Sequence, residues 1–250
     1  SSGGVRRNAL SDFTNVRSNG KIAMKLPENV LLVNARICDE NMDFLLTTEM
    51  GKAIRFSVNA VRIFKGRDSI GVRGIKLAAS DNVVSMAVIH HVDVTSEERS
   101  AYFKMRRAIT GDETGESTET ASALSQERYA ELSALEEWIL AITASGFGKR
   151  SSAHEYRVSG RGGQGITAAN LTRREDRIVA SFTVEEEDQI MLVTSTGQSI
   201  RCPVQGISRQ GRSSSGVRVF NTAEEEKVVS VAWIAEQNQE DDETEDDSEN

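Results

Sequence analysis

The chain has 250 residues, of which 38% are hydrophobic, and its formal net charge is −8 at pH 7. No apolar run approaches the roughly 18 residues that a membrane-spanning helix needs, and residues 1–10 lack the apolar core of a signal peptide. The two cysteines lie far apart and outside any Cys-x-x-Cys motif, which favours a reduced cytoplasmic protein over a disulfide scaffold.

A loop of the form Gly-Arg-x-x-x-Gly recurs along the chain. It occurs at residues 66–71, 160–165 and 211–216, and a weaker copy at residues 16–20 keeps the basic residue and the closing glycine. The closing glycines are 51, 94 and 51 residues apart. A second marker, Thr-x-x-Gly followed four residues later by Arg, recurs with spacings of 95 and 51 residues. Two markers whose spacings agree to within one residue indicate one supersecondary unit used four times, with an insertion before the third copy.

Each unit is predicted to contain three or four short β-strands. Apolar runs closed by glycine turns and alternating apolar segments predict strands at residues 20–26, 44–48, 52–58, 71–77, 83–88, 138–143, 190–194, 198–204 and 228–233. Alternation places Ile54 and Phe56 on the inner face and Arg55 on the outer face, and it places Arg201 outward in the same way. Strands at this density are typical of the blades of a propeller-like, all-β fold.

The insertion, residues 93–137, has the sequence signals of helices instead of strands. A Thr-x-x-Glu capping box at Thr95 predicts a helix that runs to about Ile109. A polar and flexible segment is predicted at residues 111–120, and a second helix at residues 124–137, where Leu124, Leu132 and Leu135 are the sparse apolar positions. The simplest structure for this insertion is a small helical hairpin.

The negative charge is concentrated in two segments. Residues 236–250 contain nine acidic and no basic side chains, residues 93–137 contain eleven acidic and five basic ones, and the rest of the chain carries a net charge of +7. A cation at an equivalent place in each repeat would form a continuous basic track, which favours a nucleic-acid-binding surface over a pocket. Residues 237–250 are predicted to be a disordered acidic tail. We hypothesise that this tail competes with nucleic acid for the basic surface of residues 1–236.

Several strings resemble the C-terminal domain of DNA gyrase A, namely NVRSNGKIAMKL, GKAIRF, GRDSIGVRGIKL, GFGKRSSAHEYRVSGRGGQG and IMLVTSTGQSIRCPV. The resemblance covers nearly the whole chain outside the insertion and the tail. It implies a β-pinwheel, a disc of strand-exchanged blades that binds, bends and wraps duplex DNA without sequence-specific contacts. It also implies that the chain works with the remainder of gyrase A and with gyrase B, in the bacterial cytoplasm at the nucleoid. The complete enzyme is then an ATP- and Mg-dependent type IIA topoisomerase that introduces negative supercoils, whereas this chain carries no catalytic residue, cofactor or metal.

The chain departs from the family pattern in two ways. The family domain usually has six blades and four loops are countable here, so the chain resembles the last four blades, with residues 1–8 as the final strand of a missing blade. The Gln-Arg-Arg-Gly-Gly-Lys-Gly loop called the gyrase A box is absent, and residues 159–165 are its nearest relative. Because that box is tied to wrapping in the family, the resemblance implies DNA contact more directly than supercoiling.

The candidate DNA-binding residues are the basic side chains of the repeats. The loop arginines Arg67, Arg161 and Arg212 are the first candidates, since phosphate contacts need only correctly spaced cations; the alternative is a solvated turn residue or a bond to the neighbouring blade. Arg55, Arg150 and Arg201 follow, with pairing to an acidic neighbour as the alternative. Further candidates are Arg6, Arg7, Arg17, Lys21, Lys25, Lys65, Arg73, Lys76, Lys149 and Arg209. The loop glycines Gly20, Gly66, Gly71, Gly160, Gly165, Gly211 and Gly216 are predicted to be structural.

Other kinds of site are disfavoured by the sequence. The Gly160–Gly165 loop lacks the Gly-Lys-Ser/Thr ending of a phosphate-binding P-loop and opens a strand rather than a helix. His90 and His91 are adjacent, and no cysteine is spaced to join them at a metal. Two alternatives remain open at this point, namely the related C-terminal domain of topoisomerase IV and a propeller-type scaffold that binds protein.

Overall fold

The computed structural model describes residues 1–110, 124–171, 173, 175–223 and 225–234. The predicted flexible segment 111–120 and the acidic tail 237–250 lie outside the described residues. We number the repeats one to four by residues 1–41, 42–92, 137–187 and 188–234. Neither helix in the described part of the chain is long and apolar enough to cross a membrane.

The described residues are mostly β, which confirms the predicted fold class. The strands are β1 (Gly4–Val5), β2 (Met42–Thr48), β3 (Lys52–Ser57), β4 (Val72–Arg73), β5 (Val83–His90), β6 (Trp138–Thr143), β7 (Phe147–Ser152), β8 (Ile166–Thr167), β9 (Ile178–Val184), β10 (Gln189–Thr194), β11 (Ser199–Pro203), β12 (Val217–Arg218) and β13 (Val228–Ile234). The described part of the chain also contains the α-helices α1 (Ser96–Thr110) and α2 (Gln126–Ala134). Short 3-10 turns follow the second strand of repeats two, three and four, at Val58–Ala60, Ala153–Glu155 and Val204–Gly206.

The repeats exchange strands. In repeat two, β2 pairs antiparallel with both β3 and β5, and the fourth strand of that sheet is β8, which comes from repeat three. The sheet of repeat three is built in the same way, in the order β12-β7-β6-β9, with β12 supplied by repeat four. Among the described residues, the sheet of repeat four has three strands, in the order β11-β10-β13. Each repeat therefore completes the sheet of the repeat before it.

The closing glycine of the loop in repeats two, three and four is required by this exchange. Gly165 has a φ of +73°, and a Cβ atom there would lie 2.4 Å from the carbonyl oxygen of Ala53. The φ angle favours glycine, and the short distance leaves no room for a side chain where β8 begins to pair with β3. Gly71 and Gly216 stand in the same relation to the preceding repeat, while the opening glycines Gly66, Gly160 and Gly211 have no positive φ angle.

Apolar side chains fill the interfaces between neighbouring repeats. Between repeats two and three, Leu45 and Ile89 pack with Ile139 and Tyr156, and all four are almost completely buried. A further cluster joins repeats three and four through Leu140, Ile142, Ile190, Leu192 and Val204. The residues of β2 from Asp43 to Thr48 are buried without alternation, because one face of the sheet packs within its own repeat and the other faces the next one.

The insertion is a helical hairpin between β5 and β6, as predicted. Its capping box is formed, since Thr95 Oγ1 accepts from Glu98 N at 3.1 Å and the Glu98 carboxylate accepts from Thr95 N at 2.9 Å. Tyr102 and Leu132 are fully buried in the small core of the hairpin. The Tyr102 ring meets the His154 ring edge to face at 5.5 Å, and His154 Nε2 is 2.9 Å from the carbonyl oxygen of Leu132. The hairpin is therefore fastened to the 3-10 turn of repeat three.

Two strand predictions in repeat one are wrong. Residues 20–26 form no strand. The equivalent strands β4, β8 and β12 each pair with the repeat before them, and the described residues provide no such partner here. The prediction that residues 1–8 are the final strand of a preceding blade is also wrong. Instead β1 pairs with β4 as β3 pairs with β8, so β1 is the second strand of repeat one itself.

Candidate nucleic-acid interface

Each loop arginine attaches its Gly-Arg loop to the preceding repeat by hydrogen bonds. Arg161 donates from Nε to the carbonyl oxygen of Ala60 at 2.9 Å and from Nη1 to that of Arg73 at 3.1 Å. Ala60 ends the 3-10 turn of repeat two and Arg73 ends β4. The guanidinium fork thus caps two carbonyl groups of the preceding repeat at once.

Arg212 repeats this geometry one unit later. Its Nε donates to the carbonyl oxygen of Glu155 at 3.1 Å and its Nη1 to that of Thr167, which are the last residues of the 3-10 turn and of β8 in repeat three. Arg67 Nη1 donates to the carbonyl oxygen of Ile22 at 3.4 Å, the corresponding position of repeat one. These equivalent hydrogen bonds support the alternative that the loop arginines bond the neighbouring blade. Arg161 is nevertheless exposed, and Arg67 and Arg212 are partly exposed. Phosphate contact by the three arginines stays a prediction.

The prediction that Arg55 faces outward from its sheet is wrong. Its side chain is 3% exposed, and Nε lies 2.7 Å from Oδ2 of Asp43, which is fully buried. Nη1 donates to the carbonyl oxygen of Ala153 and Nη2 to that of His90, both at 2.9 Å. Arg55 does lie on the opposite face from Ile54, but the next repeat covers that face, so the residue joins repeats two and three.

Arg150 has the same place in repeat three and is also buried. Its Nε donates to the carbonyl oxygen of Ile207 at 2.6 Å, and Nη1 bonds the Glu186 carboxylate at 2.6 Å. Arg201 occupies the equivalent position in repeat four, where it is exposed and bonds Gln189. Arg7 occupies it in repeat one, half-buried, and donates to Asn59 at 3.3 Å. The arginine of the Thr-x-x-Gly-x-x-x-Arg marker therefore forms a bond between repeats wherever the following repeat covers its side chain.

Lys149 and Arg6 lie beneath loops instead of on the open surface. Lys149 is 1% exposed, and Nζ donates to the carbonyl oxygens of Gly211 at 3.0 Å, Ser214 at 2.9 Å and Arg212. Burial lowers the pKa of its ammonium group to about 8. Arg6 is partly buried and bonds Ser69 and Gly66 of the repeat-two loop in the same way. Lys149 is therefore a buried support for a loop, in contrast to its prediction as a DNA-binding residue.

The remaining predicted cations lie at the surface. Arg17, Lys25, Lys65, Arg73, Lys76 and Arg209 are exposed and Lys21 is partly exposed. The sequence analysis did not identify Arg62, Arg157 and Arg218, which are also exposed. The Cζ atom of Arg62 lies 4.3 Å from the centre of the Phe64 ring, and that of Arg218 lies 5.0 Å from the centre of the Phe147 ring. The repeat could have identified two of them, because Arg62 and Arg157 are 95 residues apart, the same separation as between the first two copies of the Thr-x-x-Gly marker. We call the exposed or partly exposed cations on and beside the loops the basic rim: Arg62, Lys65, Arg67, Arg73, Arg157, Arg161, Arg209, Arg212 and Arg218.

Comparison with known proteins agrees with this architecture. A family model described as the DNA gyrase C-terminal domain, a β-propeller, matches residues 1–39, 43–90, 137–185 and 188–232. The chain is 47% identical to the DNA gyrase A protein of Granulibacter bethesdensis, over 94% of this chain and 27% of that protein. It thus spans about a quarter of the length of the curated relatives that it matches.

Two solved structures share the fold. The C-terminal domain of DNA topoisomerase IV superposes with a TM-score of 0.69 at 20% identity, covering 93% of this chain and 59% of that one. The DNA gyrase A C-terminal domain superposes with a TM-score of 0.66 at 21% identity, covering 94% of this chain and 63% of that one. At these identities the likeness concerns the fold.

Proposed function

Since the chain belongs to the DNA gyrase C-terminal domain family, we propose that it binds and bends duplex DNA as the C-terminal part of gyrase A. Within the complete enzyme it would act with the rest of gyrase A and with gyrase B, at the nucleoid in the bacterial cytoplasm. ATP and Mg²⁺ would serve the other parts of that enzyme. This chain would guide the DNA path that lets the enzyme introduce negative supercoils.

The observation that carries the proposal is the set of equivalent hydrogen bonds that attach successive loops to the preceding repeat. Arg161 and Arg212 bond equivalent carbonyl groups of the preceding repeat, so the two loops are held in equivalent positions. Loops held in equivalent positions would present the cations of the basic rim at equivalent points of successive repeats. Regularly spaced cations suit the phosphates of a bent duplex, and such contacts carry no base sequence.

Gyrase is favoured over the two alternatives. The 47% identical relative is a DNA gyrase A protein, whereas the resemblance to topoisomerase IV is one of fold at 20% identity. A protein-binding scaffold would not need cations at equivalent points of each repeat. Affinity should depend on DNA bendability more than on base contacts.

Fluorescence anisotropy with the 250-residue chain and labelled duplexes of different sequence, across a salt series, tests the proposal. We expect affinities that differ little between sequences and a log–log salt dependence of about −0.9 per phosphate contacted. A plasmid linking-number assay then reports wrapping. Weak binding that does not change with salt would reject the proposal and favour the scaffold.

A further inference from the structure

One glycine in each repeat presents its carbonyl oxygen to the repeat that follows. These turn glycines are Gly3, Gly51, Gly146 and Gly197, each four residues before Arg7 or a marker arginine. The carbonyl oxygens of the first three each accept two backbone N–H groups of the next repeat, with shorter distances of 2.8, 2.7 and 2.9 Å. The carbonyl oxygen of Gly197 accepts no hydrogen bond within the described residues. A Cβ atom on Gly197 would also have no atom within 4 Å, whereas the next repeat crowds the other three turn glycines.

The outer face of repeat four is uncovered in the described part of the chain. On β10 and β11, Met191 and Arg201 lie opposite each other, as Leu45 and Arg55 do on β2 and β3. Leu45 and Arg55 are buried because repeat three covers them, whereas Met191 is partly exposed and Arg201 is exposed. Repeat four therefore presents the same kind of surface on which repeats two and three each receive the next repeat.

Repeat one has an uncovered apolar residue on the side that would face a preceding repeat. Leu10 begins a 3-10 turn three residues after Arg7, as Val58, Ala153 and Val204 do after the marker arginines of repeats two, three and four. Those three residues are at most 3% exposed, because they lie in the clusters that join their own repeat to the one before it. Leu10 is 63% exposed.

The polar groups on the same side of repeat one are also without described partners. Ala23 and Met24 lie three and four residues after the closing glycine Gly20, which is the place of the N–H groups that bond a turn glycine in the later repeats. Their own N–H groups donate no hydrogen bond within the described residues. The Arg17 side chain is exposed and makes no described hydrogen bond, whereas its equivalent Arg161 bonds the repeat before it. Repeat one thus carries the donor half of the contact for which repeat four carries the acceptor half.

We propose that repeat one of one copy of this chain docks on repeat four of a second copy, in the way that each repeat docks on the one before it. The N–H groups of Ala23 and Met24 would donate to the free carbonyl oxygen of Gly197. Leu10 would pack against Met191, as Val204 and Leu140 share one cluster between repeats three and four. The contact adds backbone pairing at a free sheet edge, which is a common mode of protein association.

A second copy is the partner that fits, because the chain itself contains both halves of the interface. The docked copy would continue the interface that already joins repeat two to repeat three and repeat three to repeat four. The two halves lie on different repeats, so the contact is heterologous and leaves each pair of copies with one free end of each kind. Further copies would then add, and their basic rims would follow one another. This inference does not depend on the proposed function.

Two substitutions each block one side of the contact. Leu10→Glu places a charge where repeat one would be buried, and Arg201→Glu places a carboxylate where repeat four would face carbonyl groups of the second copy. Both positions are exposed in the single chain, so neither substitution should disturb the fold. Ile109→Glu is the matched control, because Ile109 is 63% exposed, as Leu10 is, but lies on α1.

Sedimentation velocity of the 250-residue chain without DNA, over a wide range of concentration, tests the proposal. We expect the weight-average mass of the parent chain and of Ile109→Glu to rise above that of two chains as the concentration increases. Each blocked variant should stay at the mass of one chain. A parent chain that stays at that mass overturns the inference, and this result is expected if residues outside the described part cover either end. Association that is unchanged in both blocked variants overturns it as well.

An equal mixture of Leu10→Glu and Arg201→Glu tests the direction of the contact and guards against a folding defect. Each variant keeps the side that the other has lost, so the mixture should form a complex of two chains and nothing larger. Such a complex also shows that both variants are folded at their intact side. A mixture that stays at the mass of one chain, when the parent associates, overturns the head-to-tail arrangement.

Discussion

Asp43 and Arg55 form an ion pair, 2.7 Å from Oδ2 to Nε, with the two side chains 0% and 3% exposed. Asp43 also accepts from the His91 ring at 2.8 Å, and Arg55 reaches the carbonyl oxygen of Ala153 in the next repeat. The pair thus links a hairpin of repeat two to the 3-10 turn of repeat three. Its role is to align two blades, which a surface arginine could not do.

Replacing Asp43 with Ala should destabilise the chain by about 3–5 kcal/mol, because the Arg55 guanidinium would remain buried without a counter-charge. Urea unfolding followed by circular dichroism measures the change. Arg201→Ala is the matched control, since Arg201 has the same place in repeat four but is exposed. That variant should lie within about 0.5 kcal/mol of the parent chain. Equal losses for the two variants would contradict the assignment of Arg55 as a buried bond between repeats.

Three glycines separate the effect of backbone angle from that of close approach. Gly165 has both a φ of +73° and a neighbouring carbonyl oxygen 2.4 Å from the added Cβ, Gly197 has a φ of +85° and open space, and Gly160 has neither constraint. Substitution by Ala should cost about 1–2 kcal/mol at Gly197 for the left-handed angle alone, more at Gly165, and less at Gly160. Thermal unfolding of the three variants gives the order. The same cost at Gly165 and Gly197 would mean that β8 can move away from Ala53.

Lys149 should make stability depend on pH in an alkaline range. Its pKa is about 8 in the folded chain, compared with an ordinary value of 10.5. Between these values the unfolded chain holds a proton that the folded chain has lost, so the contribution of Lys149 to the free energy of unfolding rises with pH. This contribution is complete above pH 10.5 and is lost as the pH falls through 8.

Urea unfolding of the parent chain and of Lys149→Met between pH 8 and 10.5 measures this dependence. The parent chain should gain stability relative to the variant as the pH rises. A ¹³C NMR titration of the Lys149 side chain should show its midpoint near pH 8. Parallel stability curves for the two proteins would indicate that the amine stays charged under the loop.

Arg73→Gln should weaken DNA binding without affecting the fold. The Arg73 side chain is exposed and makes no hydrogen bond within the described residues, although its carbonyl oxygen accepts from Arg161. The variant should reduce the salt slope of duplex binding by about 0.9 and change stability by about 0.5 kcal/mol or less. Lys227→Gln, an exposed charge outside the basic rim, is the control for anisotropy. Equal effects of the two substitutions would mean that net charge alone, and not the rim, determines binding.

Much of the fold could be predicted from the sequence, because the repeat spacing and the glycine turns are local signals. The strands β2, β6, β10 and β13 begin and end within two residues of their predicted limits. The strand predicted at residues 20–26 failed for a non-local reason. A short edge strand forms only where a neighbour supplies backbone partners, and composition does not contain that information.

The candidate site was less predictable, since alternation distinguishes two faces of a strand but not what covers each face. Arg55 and Arg201 have the same sequence context, yet the next repeat buries Arg55 while Arg201 is exposed. Lys149 and Lys65 are likewise both basic residues near loops, and only the packed structure places Lys149 beneath one.

The strand exchange gives the assembly a direction. Repeats two, three and four each send a short strand and a loop arginine back to the repeat before them, so every repeat except the last described one has its sheet edge covered by its successor. Melting of one repeat would therefore remove an edge strand from the sheet of its predecessor, while the sheet of its successor would keep all its strands. In the described part of the chain no strand covers the free edge of β11, so fraying should start there and travel toward the N-terminus, one blade at a time.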